Sequence, residues 1–311
     1  MSGRRIAWEG AGQVVVADLD SGRRVAVAKG AGNSPVAMAL SGSTVLWFDI
    51  TGGNVREDTL VTASPGRRRK ILANWYEDTE ASAPVGPLFG GVTGKGRTLA
   101  FALYRLSPPG GNPAACYERP CPRRVSGGGT FTVTPGSLAL HRVLPPAQAV
   151  AATDHALAAA VLRKGAVYTG KAQLVVKDLS NGTRRAIGAP ASILAVGLDR
   201  NRVAALIGSE HGYASLLRVW NVATGRLVRS FHVEEVRPVL VLAGSHAVLT
   251  YGGSFFTLNI RTGHRRLFTP EYVHYGPWVT GGRLLWVETR DEGTPTGRSL
   301  IRSAPLPGPT G

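Results

Sequence analysis

Three observations predict an all-β fold. A strand–turn–strand motif with a fixed glycine occurs four times along the 311 residues. Apolar strand starts recur at a spacing of roughly 45 residues, and no long stretch carries a helical period. Four short strands per repeat, repeated about seven times, is the pattern of a β-propeller of four-stranded antiparallel blades. The spacing allows six or eight blades as well. The whole chain, 1–311, reads as one such domain with a Pro/Gly-rich insertion at about 106–128.

The motif segments are VVVADLDSGRRVAV (14–27), LVVKDLSNGTRRAI (174–187), LLRVWNVATGRLVRSF (216–231) and FFTLNIRTGHRRLF (255–268). Asp18, Asp178, Asn221 and Asn259 share one position, and Gly22, Gly182, Gly225 and Gly263 another. An Asp or Asn caps a turn with its side chain, and glycine supplies the positive φ that other residues resist, so each segment reads as a β-hairpin. A second element precedes the hairpins. RRIAW (4–8), STVLWFD (43–49) and GRLLWVE (282–288) set Trp8, Trp47 and Trp286 in register, and weaker copies start at 97, 155, 202 and 246. A third, with small residues, comes before it: PVAMAL (35–40), ILAVGL (193–198) and PVLVLAG (238–244). With strands lettered a to d from the axis outward, the sequence opens near a b strand and its last strand is a c strand. Ring closure then pairs the two chain ends, or the native protein is longer.

RVWNVATGRLVRSF resembles the end of a WD-repeat blade, and RIAWEGAGQVVVADLDSGRRVAV resembles a TolB-type propeller repeat. The resemblance covers nearly the whole chain but only as a repeat, which implies the architecture and not an activity.

In a propeller the a–b and c–d turns open on one face and the b–c and d–a connections on the other. The net charge of +16 falls largely on the turn face, in pairs such as Arg23–Arg24, Arg184–Arg185 and Arg265–Arg266 and in the run Arg67 to Lys70. Such a face attracts nucleic acid or another anionic polymer. Equally, charges on exposed outer strands discourage edge-to-edge pairing. The loop face holds most of the acids and the longer insertions ANWYEDTEASAP (73–84), SEHGYAS (209–215) and FTPEYVHYGPW (268–278). Aromatic and acidic residues on loops over a rigid ring suit recognition of a protein, peptide or glycan. The expected contacts are Trp75, Tyr76, Glu77, Asp78, Glu210, His211, Tyr213, Tyr272, His274 and Tyr275.

The seven histidines show no metal-binding spacing, no nucleophile elbow is present, and no pair of carboxylates is singled out. The expectation is a non-catalytic binding or scaffolding module, monomeric, with no cofactor and no metal. A propeller hydrolase or lyase with carboxylates near the axis is the alternative. Cys116 and Cys121 form either a small disulfide or two free thiols. The apolar runs are too short to cross a bilayer, and the N-terminus lacks a signal-peptide pattern. The cysteine pair and the TolB-type resemblance favour export over the cytoplasm.

Overall fold

The computed structural model describes residues 4–10, 13–29, 37–51, 55–78, 87–108, 122–208, 214–251, 254–270, 273–280, 282–290 and 298–307. These form seven antiparallel sheets and, among the described residues, no helix. Blade I is β1 (Arg5–Gly10), β2 (Gln13–Asp18) and β3 (Arg24–Lys29). Blade II is β4 (Ala37–Ser41), β5 (Thr44–Thr51), β6 (Val55–Ala63) and β7 (Lys70–Asp78). Blade III is β8 (Leu88–Lys95), β9 (Thr98–Ser107), β10 (Arg124–Val133) and β11 (Leu140–Leu144). Blade IV is β12 (Ala147–Ala152), β13 (Ala156–Val161), β14 (Ala172–Asp178) and β15 (Arg184–Ala191). Blade V is β16 (Ile193–Asp199), β17 (Arg202–Gly208), β18 (Ala214–Asn221) and the first part of β19 (Leu227–Ala243). The rest of β19 opens blade VI, followed by β20 (His246–Tyr251), β21 (Ser254–Asn259) and β22 (Arg265–Phe268). Blade VII is β23 (Val273–Thr280), β24 (Arg283–Arg290) and β25 (Arg298–Pro305).

The strand starts read from sequence fall within one residue of β1, β5, β9, β13, β17, β20 and β24. The four hairpins are equivalent corners. Gly22, Gly182, Gly225 and Gly263 have φ of 68°, 75°, 71° and 81°. Each glycine N–H donates to the carbonyl oxygen of the Asp or Asn four residues earlier, at 2.7–3.0 Å. The side chain of that residue accepts turn N–H groups: Asp18 Oδ1 from Asp20 and Ser21, Asp178 Oδ1 from Ser180 and Asn181. These bonds favour the carboxylate and hold both aspartates below the ordinary value, with Asp18 led by Ser21 and Asp178 by Ser180.

A bond between turns dates each strand. The residue after strand c donates to the a–b turn of its own blade: Leu19 to Arg4, Leu179 to His155, Val222 to Asn201, Ile260 to Ser245 and Leu306 to Gly282. Blade I therefore holds strands b, c and d, and blade VII holds a, b and c, so the first described strand is a b strand and the last a c strand, as the repeat predicts. Among the described residues no strand is shared across this seam. It closes by packing of Ile6, Trp8 and Ala17 against Val287, Trp278 and Ile301.

The b strands form the middle of the core, buried on both faces. In β13, Ala158 and Ala160 face the cluster shared with blade V, while Leu157 and Ala159 face blade III. In β5, Val45 and Trp47 pack on blade I, and Leu46 and Phe48 on blade III. Each larger side chain buried in this way, such as Leu157, Val45 or Phe48, contributes about 1.5–3 kcal/mol, and each alanine roughly 1 kcal/mol or less. Near the axis the strands come closer still. The inner strand β8 carries Gly90 and Gly94, whose added Cβ atoms would overlap the carbonyl oxygens of Ala147 and Leu40 in the two neighbouring blades.

Two glycine substitutions separate local from inter-blade effects. Around Gly182 a Cβ meets nothing within 4 Å, so Gly182→Ala is expected to cost only the left-handed backbone penalty, roughly 1 kcal/mol. Gly94→Ala must push blades II and III apart and is expected to cost more, about 1–3 kcal/mol. Urea unfolding midpoints of the two variants check this order, with equal or reversed losses counting against it.

Candidate ligand-binding site

On the turn face much of the arginine charge is engaged within the protein. Arg4 pairs with Asp20 and Arg5 with Asp18. Arg202 Nη1 donates to the Gly244 carbonyl oxygen at 3.1 Å, and Arg265 donates to that of His232. The guanidinium groups of Arg24, Arg265 and Arg266 lie over Trp8, Phe256 and Phe268, 5.1–5.8 Å from the ring centres. Apart from Arg266 and Phe268, two residues apart on β22, these partners meet across strands or turns, where no spacing rule connects them in sequence.

The segment expected as a loop at 73–84 begins as the outer strand of blade II. Trp75, Tyr76, Glu77 and Asp78 all lie on β7. Trp75 is 7% exposed, stacks on Phe48 at 5.6 Å and belongs to the core between blades II and III. It holds the blade together, and its Nε1 has no hydrogen-bond partner among the described residues. His274 and Tyr275 lie on β23, the inner strand of blade VII, next to the half-buried Trp278. The side chains of Tyr76, Glu77, Asp78, His274 and Tyr275 lie outside the described residues, as do Glu210, His211, Tyr213, Tyr272, Cys116 and Cys121. Within the insertion expected at about 106–128, β9 runs to Ser107 and β10 starts at Arg124, and residues 109–121 lie outside the described residues.

Several acids toward the loop face serve the blades themselves. Glu288 accepts from Trp286 Nε1 and Arg302 Nε, both at 2.8 Å. Glu57 Oε1 accepts from Asn74 at 2.9 Å. Asp49 repeats the Trp-x-acid pattern, with Oδ2 accepting from Trp47 Nε1 at 3.3 Å, but it is 2% exposed and its Oδ1 has no hydrogen-bond partner among the described residues. Burial pushes this carboxyl above its ordinary value, the Trp47 bond opposing it and the neighbouring charge of Glu9 adding to it.

The sector of blades III and IV differs. The b–c loop of blade IV, residues 162–171, is tied across to the start of β10. Val125 N–H donates to the Ala166 carbonyl at 3.0 Å, Gly165 N–H to Val125 at 2.8 Å and Tyr168 N–H to Arg123 at 2.7 Å. Arg124 Nη1 donates to the Gly165 carbonyl at 2.9 Å. From the axis side Gln148 Nε2 donates to the carbonyl oxygens of Gly170 and Ile193, at 3.0 and 2.8 Å. Tyr168 stacks on Tyr104 at 5.9 Å, and burial there pushes the Tyr104 phenol up. Between loop and strand lies a recess of about 290 Å³. Its walls include Val125, Leu162, Val167 and Pro190, with Arg163 and Lys171 at the rim. Arg163, Lys164 and Lys171 are exposed, and among the described residues no carboxylate pairs with any of them. Sequence reading missed this site because LRKGAVYTGK matches no motif; its shape comes from contacts some forty residues away in the chain.

No protein-family model and no curated protein matches the sequence. Solved structures do match in fold. Hsv2 of Kluyvelomyces marxianus aligns at 11% identity over 97% of this chain and 95% of its own, with a TM-score of 0.54. U3-55K aligns at 10% identity over 91% and 84%, with a TM-score of 0.50. TolB of Acinetobacter baumannii aligns at 10% identity over 86% and 64%, with a TM-score of 0.44. The first two show the fold that the repeats predict: a seven-bladed β-propeller.

Asp49 gives a pH test. Its folded-state value lies above the unfolded 3.8, so the folded form binds the proton more tightly and stability falls as pH rises through the interval above 3.8. Asp49→Asn keeps an acceptor for Trp47 and is expected to raise the unfolding midpoint at pH 7, with the gain shrinking as pH is lowered toward 3.8. Denaturant melts at the two pH values measure it, and a gain that persists unchanged in acid contradicts it.

Proposed function

We propose that this propeller is a non-catalytic binding or scaffolding module that takes a protein, peptide or glycan on its loop face, at the recess between blades III and IV. The observation that carries the reading is a loop tied by hydrogen bonds to β10 on one side and to Gln148 on the other, over a mainly aliphatic recess whose rim cations have no carboxylate partner among the described residues. A surface ordered before binding loses little entropy when a ligand arrives. Engaged groups elsewhere support the same choice. Arg24, Arg265 and Arg266 stack on rings of the fold, and Glu57 and Glu288 hold strands in place. Tyr76, Glu77, Asp78, His274 and Tyr275, on strands whose ends reach the loop face, are proposed as outlying contacts of a larger partner.

The test is selection of ligands from a displayed random-peptide library and a glycan array. Selected ligands are expected to lose at least tenfold in affinity on Val167→Asp and to be unaffected by Arg68→Glu on the turn face. Because Val167 is 41% exposed, Val167→Asp is expected to leave the melting temperature within about 2 °C. Ligands that ignore Val167→Asp and respond to Arg68→Glu would move the binding surface to the other face.

A further inference from the structure

We propose that the recess takes an acidic peptide, one aliphatic or aromatic side chain entering it and carboxylates on either side pairing with Arg163 and Lys171. This rests on the loop-face reading above and narrows it to one ligand chemistry.

Size comes first. At about 290 Å³ the recess sits just below the range of cavities that enclose drug-sized ligands or cofactors, roughly 300–1,000 Å³. It fits one or two side chains, the dimension of a single anchor in a peptide interface. Its lining is mainly aliphatic, with Thr169 and Gln173 its uncharged polar members, which suits an apolar inserted group. The charged residues that line it, Arg163 and Lys171, are both cationic. Arg163, Lys164 and Lys171 come from the loop itself, and Arg124, from β10, adds a fourth charge while bonding to Gly165. A concave surface with one sign of charge and low-dielectric walls concentrates opposite charge in its mouth. An apolar residue flanked by Asp or Glu satisfies both features at once.

Two other anions fit less well. A nucleic-acid strand needs open aromatic faces for its bases, and the one aromatic lining residue, Tyr168, is half-buried and stacked on Tyr104. An anionic membrane needs apolar groups that project into it, whereas Val125 and Leu162 lie buried at the floor of the recess. The loop is also stiff where it matters. Gln148 clamps Gly170 from the inner strand of blade IV and reaches Ile193 of blade V with the same nitrogen. The backbone that carries Lys171 is anchored next to this clamp at Gly170, and that of Arg163 lies near the bonds of Gly165 and Ala166 to Val125.

The experiment is fluorescence anisotropy on the full chain with a labelled peptide of Asp and Glu residues around a central Leu-Phe pair. Saturable binding is expected. Replacing Leu-Phe by Ala-Ala should weaken it at least tenfold. Arg163→Glu and Lys171→Glu should each weaken it roughly fivefold and flatten its salt dependence. All three protein variants, including Val167→Asp, alter exposed positions, and their unfolding midpoints serve as the control for folding. The proposal is overturned if the Ala-Ala peptide binds as well, if neither charge reversal matters, or if a single-stranded oligonucleotide or phosphatidylserine vesicles compete better than the peptide. If the acidic peptide fails while library-selected ligands still depend on Val167, the acidic chemistry is wrong and the loop-face site stands. If selected ligands bypass Val167, the loop-face reading itself is lost.

Discussion

Everything in this molecule depends on one requirement: a four-stranded sheet of short strands has two apolar faces, and each must be covered by another sheet of the same kind. A single blade cannot meet that requirement alone, and a row of blades always leaves two faces bare. A ring does not. The alternation along β13 and β5 is the requirement written residue by residue, with odd and even positions buried against different neighbours. Crowding near the axis then sets residue size, which is why alanine fills β13 and β17 and why glycine lies where β8 meets the backbones on either side. The seam between blades I and VII meets the same demand by side-chain packing around Trp8 and Val287.

That scaffold explains how a short polar loop becomes a surface with a shape. Residues 162–171 contain two glycines and three cations and have little apolar content of their own to order them. Their order is borrowed from neighbouring strands, through Val125 and Arg123 in blade III and Gln148 in blade IV, whose amide is itself anchored on Ile193 of blade V. The electrostatics follow from the same division of labour. Asp49, Glu57 and Glu288, in blades II and VII, are held by indole, amide and guanidinium donors, and several turn-face arginines by rings and carbonyl oxygens. At the junction of III and IV Arg124 bonds to the Gly165 carbonyl, while Arg163, Lys164 and Lys171 are exposed with no carboxylate partner among the described residues.

The fold was legible because its determinants are local. A glycine with positive φ four residues after an Asp or Asn marks a corner whatever surrounds it, and strand starts recur at a period that chain length alone converts to blades. The strand inventory at the seam was legible in outline for the same reason. The site was not. Trp75 looks, in ANWYEDTEASAP, like an aromatic on a loop, and only the packing of blade III against blade II makes it core. Val167 and Lys171 look like ordinary loop residues, and only pairing with a strand start forty residues earlier in the chain places them around a recess. Arginines that read as a patch are partly committed to aromatic partners within their own blade, and the contacts of Arg24 with Trp8 and of Arg265 with Phe256 cross strands, which no sequence interval reports.

Hydrogen–deuterium exchange of the central strands tests the main claim most directly. If mutual coverage of blades is what holds the ring, the amides of β5, β9, β13, β17 and β20 should share one opening free energy, equal to that of global unfolding and lowered together by a single inter-blade substitution. Protection that divides blade by blade, with one sheet opening while its neighbours stay closed, would contradict it.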